Sequence, residues 1–197
     1  MTTTKQRLLL ATRNAHKARE VREILGDGWI VEDLSVLPGL ADVEETGETF
    51  EENARIKALA ASPFYDGWVL ADDSGLEVDA LGGAPGVRSA RYAGDDADME
   101  KNRALLMLKM RGEDNRAARF RCVLALARGG VVVQVFFGVV EGLITEEERG
   151  GEGFGYDPMF VPEGCPRTFA EMSAVEKHSL SHRARALAAL AKYFRNA

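Results

Sequence analysis

Thr12, Asn14 and Lys17 stand where an apolar run, residues 8–11, gives way to a helical pattern. A hydroxyl, an amide and an ammonium are thus gathered at a helix start. Such a start has unpaired N–H groups and the positive end of the helix dipole, so it attracts anions. The combination reads as a phosphate grip. A second set is acidic: Glu44, Glu45, Asp72 and Asp73. Asp72 and Asp73 follow the apolar residues 68–71, which places them at the carboxyl end of a strand, where open α/β sheets put ligands. Successive residues of an extended segment point to opposite sides. One aspartate therefore faces the ligand and the other is a supporting acceptor. A Mg2+ ion needs one or two protein carboxylates and completes its shell with water and phosphate oxygens. A third set, Phe154-Gly155-Tyr156-Asp157, offers a ring in a glycine-flanked loop that can stack on a base, with Asp157 as acceptor for a protonated ring-edge nitrogen. The fourth is Lys177, His182 and Arg183 around a helix start, where Arg183 can donate to a carbonyl or a phosphate.

Each set alone has an ordinary reading beside the chemical one. The first also fits a capped helix with a surface lysine, and the acidic residues 42–52 fit a solvated loop. Phe154 fits a core ring beside a turn, and the basic set fits a helix end. Neither Gly-x-x-x-x-Gly-Lys-Ser/Thr nor Gly-x-Ser-x-Gly occurs in the chain, which argues against a Walker loop and a serine elbow. His178 and His182 are four apart, but no Cys-x-x-Cys or His-Glu-x-x-His accompanies them, so zinc is not indicated.

The elements that must carry these residues follow from pattern. Residues 8–11 read as a buried strand. Asn14 caps a helix through Leu25, with Ala18, Val21, Ile24 and Leu25 inward and Gly26 as its stop. Residues 29–31 form a second strand, and 35–48 are an acidic loop. Thr49 and Glu52 have capping-box spacing and open a helix to about Ala61, with Asn53 and Lys57 on one face. Residues 68–71 form a strand ending in the acidic pair. Residues 81–94 are a glycine-rich loop containing Pro85. Residues 98–110 fit a helix. The alternation from Phe120 to Leu126, the turn Arg128-Gly129-Gly130 and the run 131–140 make a long hairpin. Residues 150–155 are a second glycine-rich loop. Two more capping boxes follow, Thr168/Glu171 and Ser173/Glu176. A last helix starts near His182, with Leu187, Leu190 and Phe194 inward. Mixed strands and helices give an α/β fold with a mixed sheet.

At 197 residues the chain fits a single domain, residues 1–197, and its 46% hydrophobic and 28% charged content is ordinary for a globular protein. A net charge of −6 argues against a general nucleic-acid binder. Two cysteines far apart in sequence, Cys122 and Cys165, fit a reduced, cytoplasmic chain. The N-terminus lacks the pattern of a secretory signal. The longest apolar run, 131–140, is too short for a bilayer, so no membrane partner is expected.

Taken together and in this order, the motifs resemble one family, the house-cleaning nucleoside triphosphate pyrophosphatases that act on inosine and xanthosine triphosphates. The resemblance runs through Thr12-Arg13-Asn14-Ala15-His16-Lys17, Glu44-Glu45-Thr46-Gly47, Thr49-Phe50-x-x-Asn53-Ala54-x-x-Lys57-Ala58, Ala71-Asp72-Asp73-Ser74-Gly75-Leu76, Gly82-Gly83-Ala84-Pro85-Gly86-Val87-x-Ser89-Ala90-Arg91-Tyr92, Phe154-Gly155-Tyr156-Asp157-Pro158 and Ser181-His182-Arg183. It covers nearly the whole chain; Arg13, Ala15 and His16 fall at positions that vary in the family. The resemblance implies a long mixed sheet flanked by helices, two lobes with a central active-site cleft, and a homodimer. It implies that Thr12, Asn14 and Lys17 bind the triphosphate, with Lys57 and Ser74 nearby, that Arg13, Ala15 and His16 lie among the substrate-binding positions, that Glu44 and Asp73 hold Mg2+, and that Asp73 is the proton acceptor. It assigns Phe154, Gly155, Tyr156, Asp157, Lys177, His182 and Arg183 to the nucleoside.

The reaction so implied is attack of water on the alpha phosphorus of ITP, dITP or XTP, with pyrophosphate leaving, which keeps deaminated purines out of DNA and RNA. A carboxylate beside a cation has its pKa lowered, so Asp73 is expected to act mainly by holding metal or orienting water. A buried donor such as Arg183 facing the 6-oxo group would be opposed by the adenine amino group. Two other readings remain. An all-α dUTP-type pyrophosphatase shares the Glu44-Glu45-x-x-Glu48 pattern, but Gly47 and the long hairpin speak against it. A nucleotide- or RNA-binding module would use Phe154 and the basic helix ends without turnover.

Overall fold

The computed structural model describes residues 5–96 and 98–196. Six strands lie in the order β2-β1-β3-β4-β5-β6. β1 (Gln6–Leu10) pairs in parallel with β2 (Trp29–Asp33) and with β3 (Trp68–Val78), whereas β5 (Val131–Ile144) pairs antiparallel with β6 (Phe160–Pro162). β4 (Ala117–Arg128) is joined to β5 by Gly129 and Gly130, at φ 57° and 79°. Both residues at positive φ define the tight turn that matches strand twist. The sheet is thus mixed and the fold is α/β.

Helices form where the capping signals place them. α1 (Ala15–Leu25) is capped by Asn14, whose side chain accepts from the His16 and Lys17 amides, and ends at Gly26 with φ 64°. α2 (Phe50–Ala61) opens with the complete Thr49/Glu52 capping box. α3 (Met99–Lys109) is capped by Asp98, and α4 (Ala174–Leu180) opens with the Ser173/Glu176 box. The Thr168/Glu171 box is also formed, but it starts a short 3-10 turn. α5 (His182–Asn196) closes the chain.

One expectation is corrected. Residues 68–71 were expected to end a strand at the acidic pair, yet β3 runs on to Val78. Burial is continuous from Val69 through the aspartates and resumes beyond Ser74, with Leu76 and Val78 both fully buried. Gly75 does not break the strand. It admits Ser89, whose Oγ would lie 2.3 Å from a Cβ there. Residues 81–94, read as a loop, contain one 3-10 segment, Gly86–Arg91, and another, Asp79–Leu81, leads into them.

The chain divides into two compact units: Met1–Asp73, Cys122–Phe137 and Arg183–Ala197 form the first, and Ser74–Arg121 with Gly138–His182 the second. The first is built on Leu8, Leu10, Val21, Leu70, Leu124 and Leu187, and Phe194 meets Trp29 and Trp68 edge-on at 5.0 and 5.4 Å between ring centroids. The second is built on Leu76, Met110, Phe120, Met159, Phe160 and Phe169. Each buries enough apolar surface to hold charged side chains in fixed places, which the sites below exploit. Both cysteines are free thiols, and among the described residues no helix is long and apolar enough to cross a membrane.

Candidate active site

The first unit carries the phosphate-grip motif and both aspartates of β3. β1 ends at Leu10, and the Ala11 amide still donates to Leu70 O of the neighbouring strand (2.7 Å). The turn that follows is shaped from within: Thr12 Oγ1 accepts from the Asn14 amide (3.1 Å), and Asn14 Oδ1 from the amides of His16 and Lys17 (3.0 and 3.1 Å). Arg13 leaves the turn sideways. Its Nε lies 2.5 Å from Asp42 Oδ1 and its NH2 donates to Leu40 O at 2.6 Å, tying the acidic loop to the motif. Ala15 is exposed and His16 half-buried on the first turn of α1.

Lys17 turns back to the strand. Its Nζ is 2.6 Å from Asp72 Oδ1 and 3.3 Å from Asp72 O. The helix start and the acidic pair meet at this point. The two aspartates diverge, as the pleat requires. Asp72 is 1% exposed; its Oδ2 accepts from Arg183 Nε at 2.8 Å and lies 3.3 Å from the Cys122 thiol. Arg183, also 1% exposed, donates its NH1 to Glu20. Glu20, Arg183, Asp72 and Lys17 thus alternate in sign through the interior. Burial pushes the Asp72 carboxyl up, but the charges of Arg183 and Lys17 outweigh it and hold it well below the usual carboxylate range. Burial likewise works against the charged Lys17, and Asp72 and Asp73 overcome it, raising its pKa. Burial, reinforced by Asp72, drives the Cys122 thiol well above its ordinary value.

Asp73 faces the other way, toward α2. Lys57 Nζ lies 2.6 Å from its Oδ1, while Oδ2 is buried with no hydrogen-bond partner. Here burial wins over the nearby charges of Lys57 and Lys17, and the carboxyl is pushed above its ordinary value. A buried carboxylate oxygen without a donor is costly unless a cation or donor arrives. Asp73 therefore fits a metal ligand. The second expected ligand, Glu44, is exposed. Its neighbour Glu45 is half-buried and lies 3.5 Å from Lys57 Nζ. Among the described residues no three His, Cys, Asp or Glu side chains are grouped for a metal. The loop holding Glu45 is fixed by Asn53, which accepts from the Gly47 amide (2.8 Å) and donates to Gly47 O (3.3 Å). Ser74, half-buried, follows on β3.

The second unit carries the expected base-binding set apart from Arg183, which belongs to the first. The loop before β6 is organised by Asp157, which is 2% exposed and whose Oδ2 accepts from the Phe154 amide (2.8 Å) and from Lys177 Nζ (2.6 Å). That oxygen, expected to meet a base edge, instead shapes the loop. Lys177 Nζ stands 5.1 Å from the Phe154 ring centroid and 5.5 Å from that of Phe169. Phe154 is half-buried. Tyr156 is buried, its hydroxyl donating to Ser89 O at 2.9 Å. His182 stacks on Phe120 at 4.8 Å and 11° between rings.

Arg183 departs from expectation. It was read as a donor to the base carbonyl; here its guanidinium is buried among unit-one carboxylates, because Asp72 and Glu20 offer it full charge compensation. Sequence reasoning missed Glu20 and gave Cys122 no place beside Asp72. Glu20 had a signal: a glutamate between the inward Ala18 and Val21, three residues after Lys17.

The arrangement brings cations, a lone buried carboxylate oxygen and an aromatic-flanked lysine into two prepared sets. Comparison with known proteins bears on what they serve. The model of the Ham1 family matches residues 8–193. A protein of Exiguobacterium sp. named dITP/XTP pyrophosphatase is 47% identical over 182 residues, 92% of this chain and 93% of its own. The solved Ham1 protein of Staphylococcus aureus superposes with a TM-score of 0.86 at 39% identity, covering 97% of this chain and 99% of its own. That of Coxiella burnetii gives 0.88 at 38% identity, covering 98% and 100%.

Proposed function

Because the chain belongs to the Ham1 family, we propose that it is a pyrophosphatase of non-standard purine nucleotides. It hydrolyses dITP, XTP and ITP to the monophosphate and pyrophosphate and so clears deaminated purines from the nucleotide pool. The relatives' names support the substrate class. The observation in this chain that carries the reading is the pairing of Lys17 and Lys57 with adjacent aspartates, one of which keeps a buried oxygen without a donor.

In this reading the turn at residues 12–17 and Lys57 hold the triphosphate by charge and by N–H donors, with Ser74 beside them. Asp73, with a glutamate of the acidic loop, Glu44 or its neighbour Glu45, would hold Mg2+. Bound there, Mg2+ would offset charge on the leaving pyrophosphate. With the cation beside it the Asp73 carboxylate is a weak base, so its part is to hold the metal and orient the attacking water. Most of the rate comes from positioning and charge compensation by fixed groups. Asp72 acts one step back, holding the Lys17 ammonium of α1 against β3. Phe154 stacks on the base, with Tyr156, Gly155 and Asp157 shaping its loop. The 6-oxo group of hypoxanthine or xanthine meets a donor from Lys177 or His182, and the adenine 6-amino group would be opposed there. The protein acts in the cytoplasm as a homodimer, a state supported by the exposed Val131, Val133 and Phe137 of β5.

The test is product analysis. Purified protein with Mg2+ is given dITP, XTP, ITP, ATP, GTP or dUTP. Monophosphate and pyrophosphate from the first three, and little from the others, are expected. Orthophosphate release, a preference for dUTP, or GTP turnover equal to that of ITP would overturn the reading.

A further inference from the structure

The glycine-rich loop that carries Phe154 is gripped from outside by one face of α3. Met99 and Arg103 lie four residues apart and so project together. The Gly155 amide donates to Met99 Sδ at 3.2 Å, and Gly155 O accepts from Arg103 NH1 at 3.2 Å. The two peptides flanking Gly155 are therefore each held by a side chain of the same helix. Gly155 needs this more than most residues: its φ is 61°, and glycine loses the most conformational freedom on ordering. Arg103 is itself oriented, its Nε donating to Glu148 Oε2 at 2.9 Å. Only a planar fork serves both partners at once; an ammonium on a flexible stem would not. The same helix reaches the loop by a second route. Asn102 accepts from the Ala93 amide (2.7 Å) and donates to Ala90 O (2.9 Å), fixing the segment whose Ser89 carbonyl receives the Tyr156 hydroxyl.

We propose that Met99 and Arg103 are positioning residues for nucleobase recognition, which set the Phe154 ring by clamping Gly155 on both sides. This rests on the reading of Phe154 as the base platform. Neither residue touches substrate. Their effect is to hold the ring where a base can stack without first paying to order the loop.

The experiment uses the full chain and three variants, Met99→Leu, Arg103→Ala and Arg103→Lys, with Phe154→Ala alongside. Hydrogen exchange of the Gly155 amide is followed in the substrate-free protein. KM and kcat are measured for dITP, and inhibition by inorganic tripolyphosphate is measured as a probe of the phosphate end. Gly155 exchange is expected to quicken in Met99→Leu and Arg103→Ala. In Arg103→Ala the KM for dITP rises about tenfold while kcat changes by less than about threefold, the signature of lost binding rather than lost transition-state contact. Tripolyphosphate inhibition stays as in the parent, and Arg103→Lys recovers part of the KM. Unchanged Gly155 exchange in both variants overturns the clamp. Faster exchange with an unmoved KM, in a protein where Phe154→Ala does raise KM, overturns its role in recognition. A Phe154→Ala variant with unaltered KM overturns the base-platform reading itself, and this role with it.

Discussion

Asp72→Asn isolates the energetics of the buried charges. The amide keeps the shape of the side chain and removes the charge that Lys17 approaches at 2.6 Å and Arg183 at 2.8 Å. Two buried cations then face a neutral group, and removing one member of such a set costs about 3–5 kcal/mol. With a urea slope of roughly 2 kcal/mol per molar, that loss lowers the unfolding midpoint by roughly 2 M. The dependence on pH has a definite sign. Burial pushes Asp72 up, but Arg183 and Lys17 prevail and depress it in the folded chain. Its stabilising contribution is therefore present above the unfolded value of about 3.9 and lost as pH falls through the folded value. The gap between the parent and Asp72→Asn is widest near neutrality and closes in acid. Asp73→Asn is the internal control. Burial raises Asp73 in the folded state, so its contribution is present below about pH 3.9 and lost as pH rises through the folded value. Replacing it by a neutral amide leaves stability at pH 7 equal or higher while turnover collapses. Urea titrations of the three proteins at pH 7 and in acid decide the matter. An Asp72→Asn loss under about 1 kcal/mol, or a loss in Asp73→Asn as large as in Asp72→Asn, refutes the reasoning.

A methyl group at Gly47 would stand 2.6 Å from Glu52 Cβ and 2.7 Å from Asn53 Oδ1; Gly47→Ala is expected to cost about 1–3 kcal/mol in a thermal or urea melt and to lower turnover by shifting the loop that holds Glu45. Asp157→Asn weakens the acceptor shared by Lys177 and the Phe154 amide; KM for dITP should rise roughly tenfold while tripolyphosphate inhibition is spared. Glu45 raises the Asp73 pKa and sits 3.5 Å from Lys57; Glu45→Gln should weaken the response of kcat/KM to added Mg2+ more than Glu44→Gln does.

What the sequence revealed is what is decided locally. Caps at Asn14, Thr49 and Ser173 and the stop at Gly26 act within a turn, so they could be read residue by residue and the helices begin where those residues stand. The divergence of Asp72 and Asp73 was legible because a strand's pleat has a fixed period. The length of β3 was not: Ser74-Gly75 resembles a turn, and only the remote Ser89, packed on Gly75, shows why glycine continues the strand. Glu20 and Arg183 are 163 residues apart, and no spacing rule pairs them. The same holds for Lys177 and Asp157, whose oxygen was assigned to a ligand when a lysine from a later helix claims it.

The pleat of β3 also restricts how this segment can change over generations. Deleting one residue ahead of Asp72 would carry Asp73 into the slot occupied by its neighbour and rotate Leu76 and Val78 out of the interior in the same stroke. Frameshift-free indels are therefore closed to residues 68–78, where drift can proceed by exchange of side chains alone. Length polymorphism is left to stretches such as the exposed residues 111–115, where no pleat counts the residues.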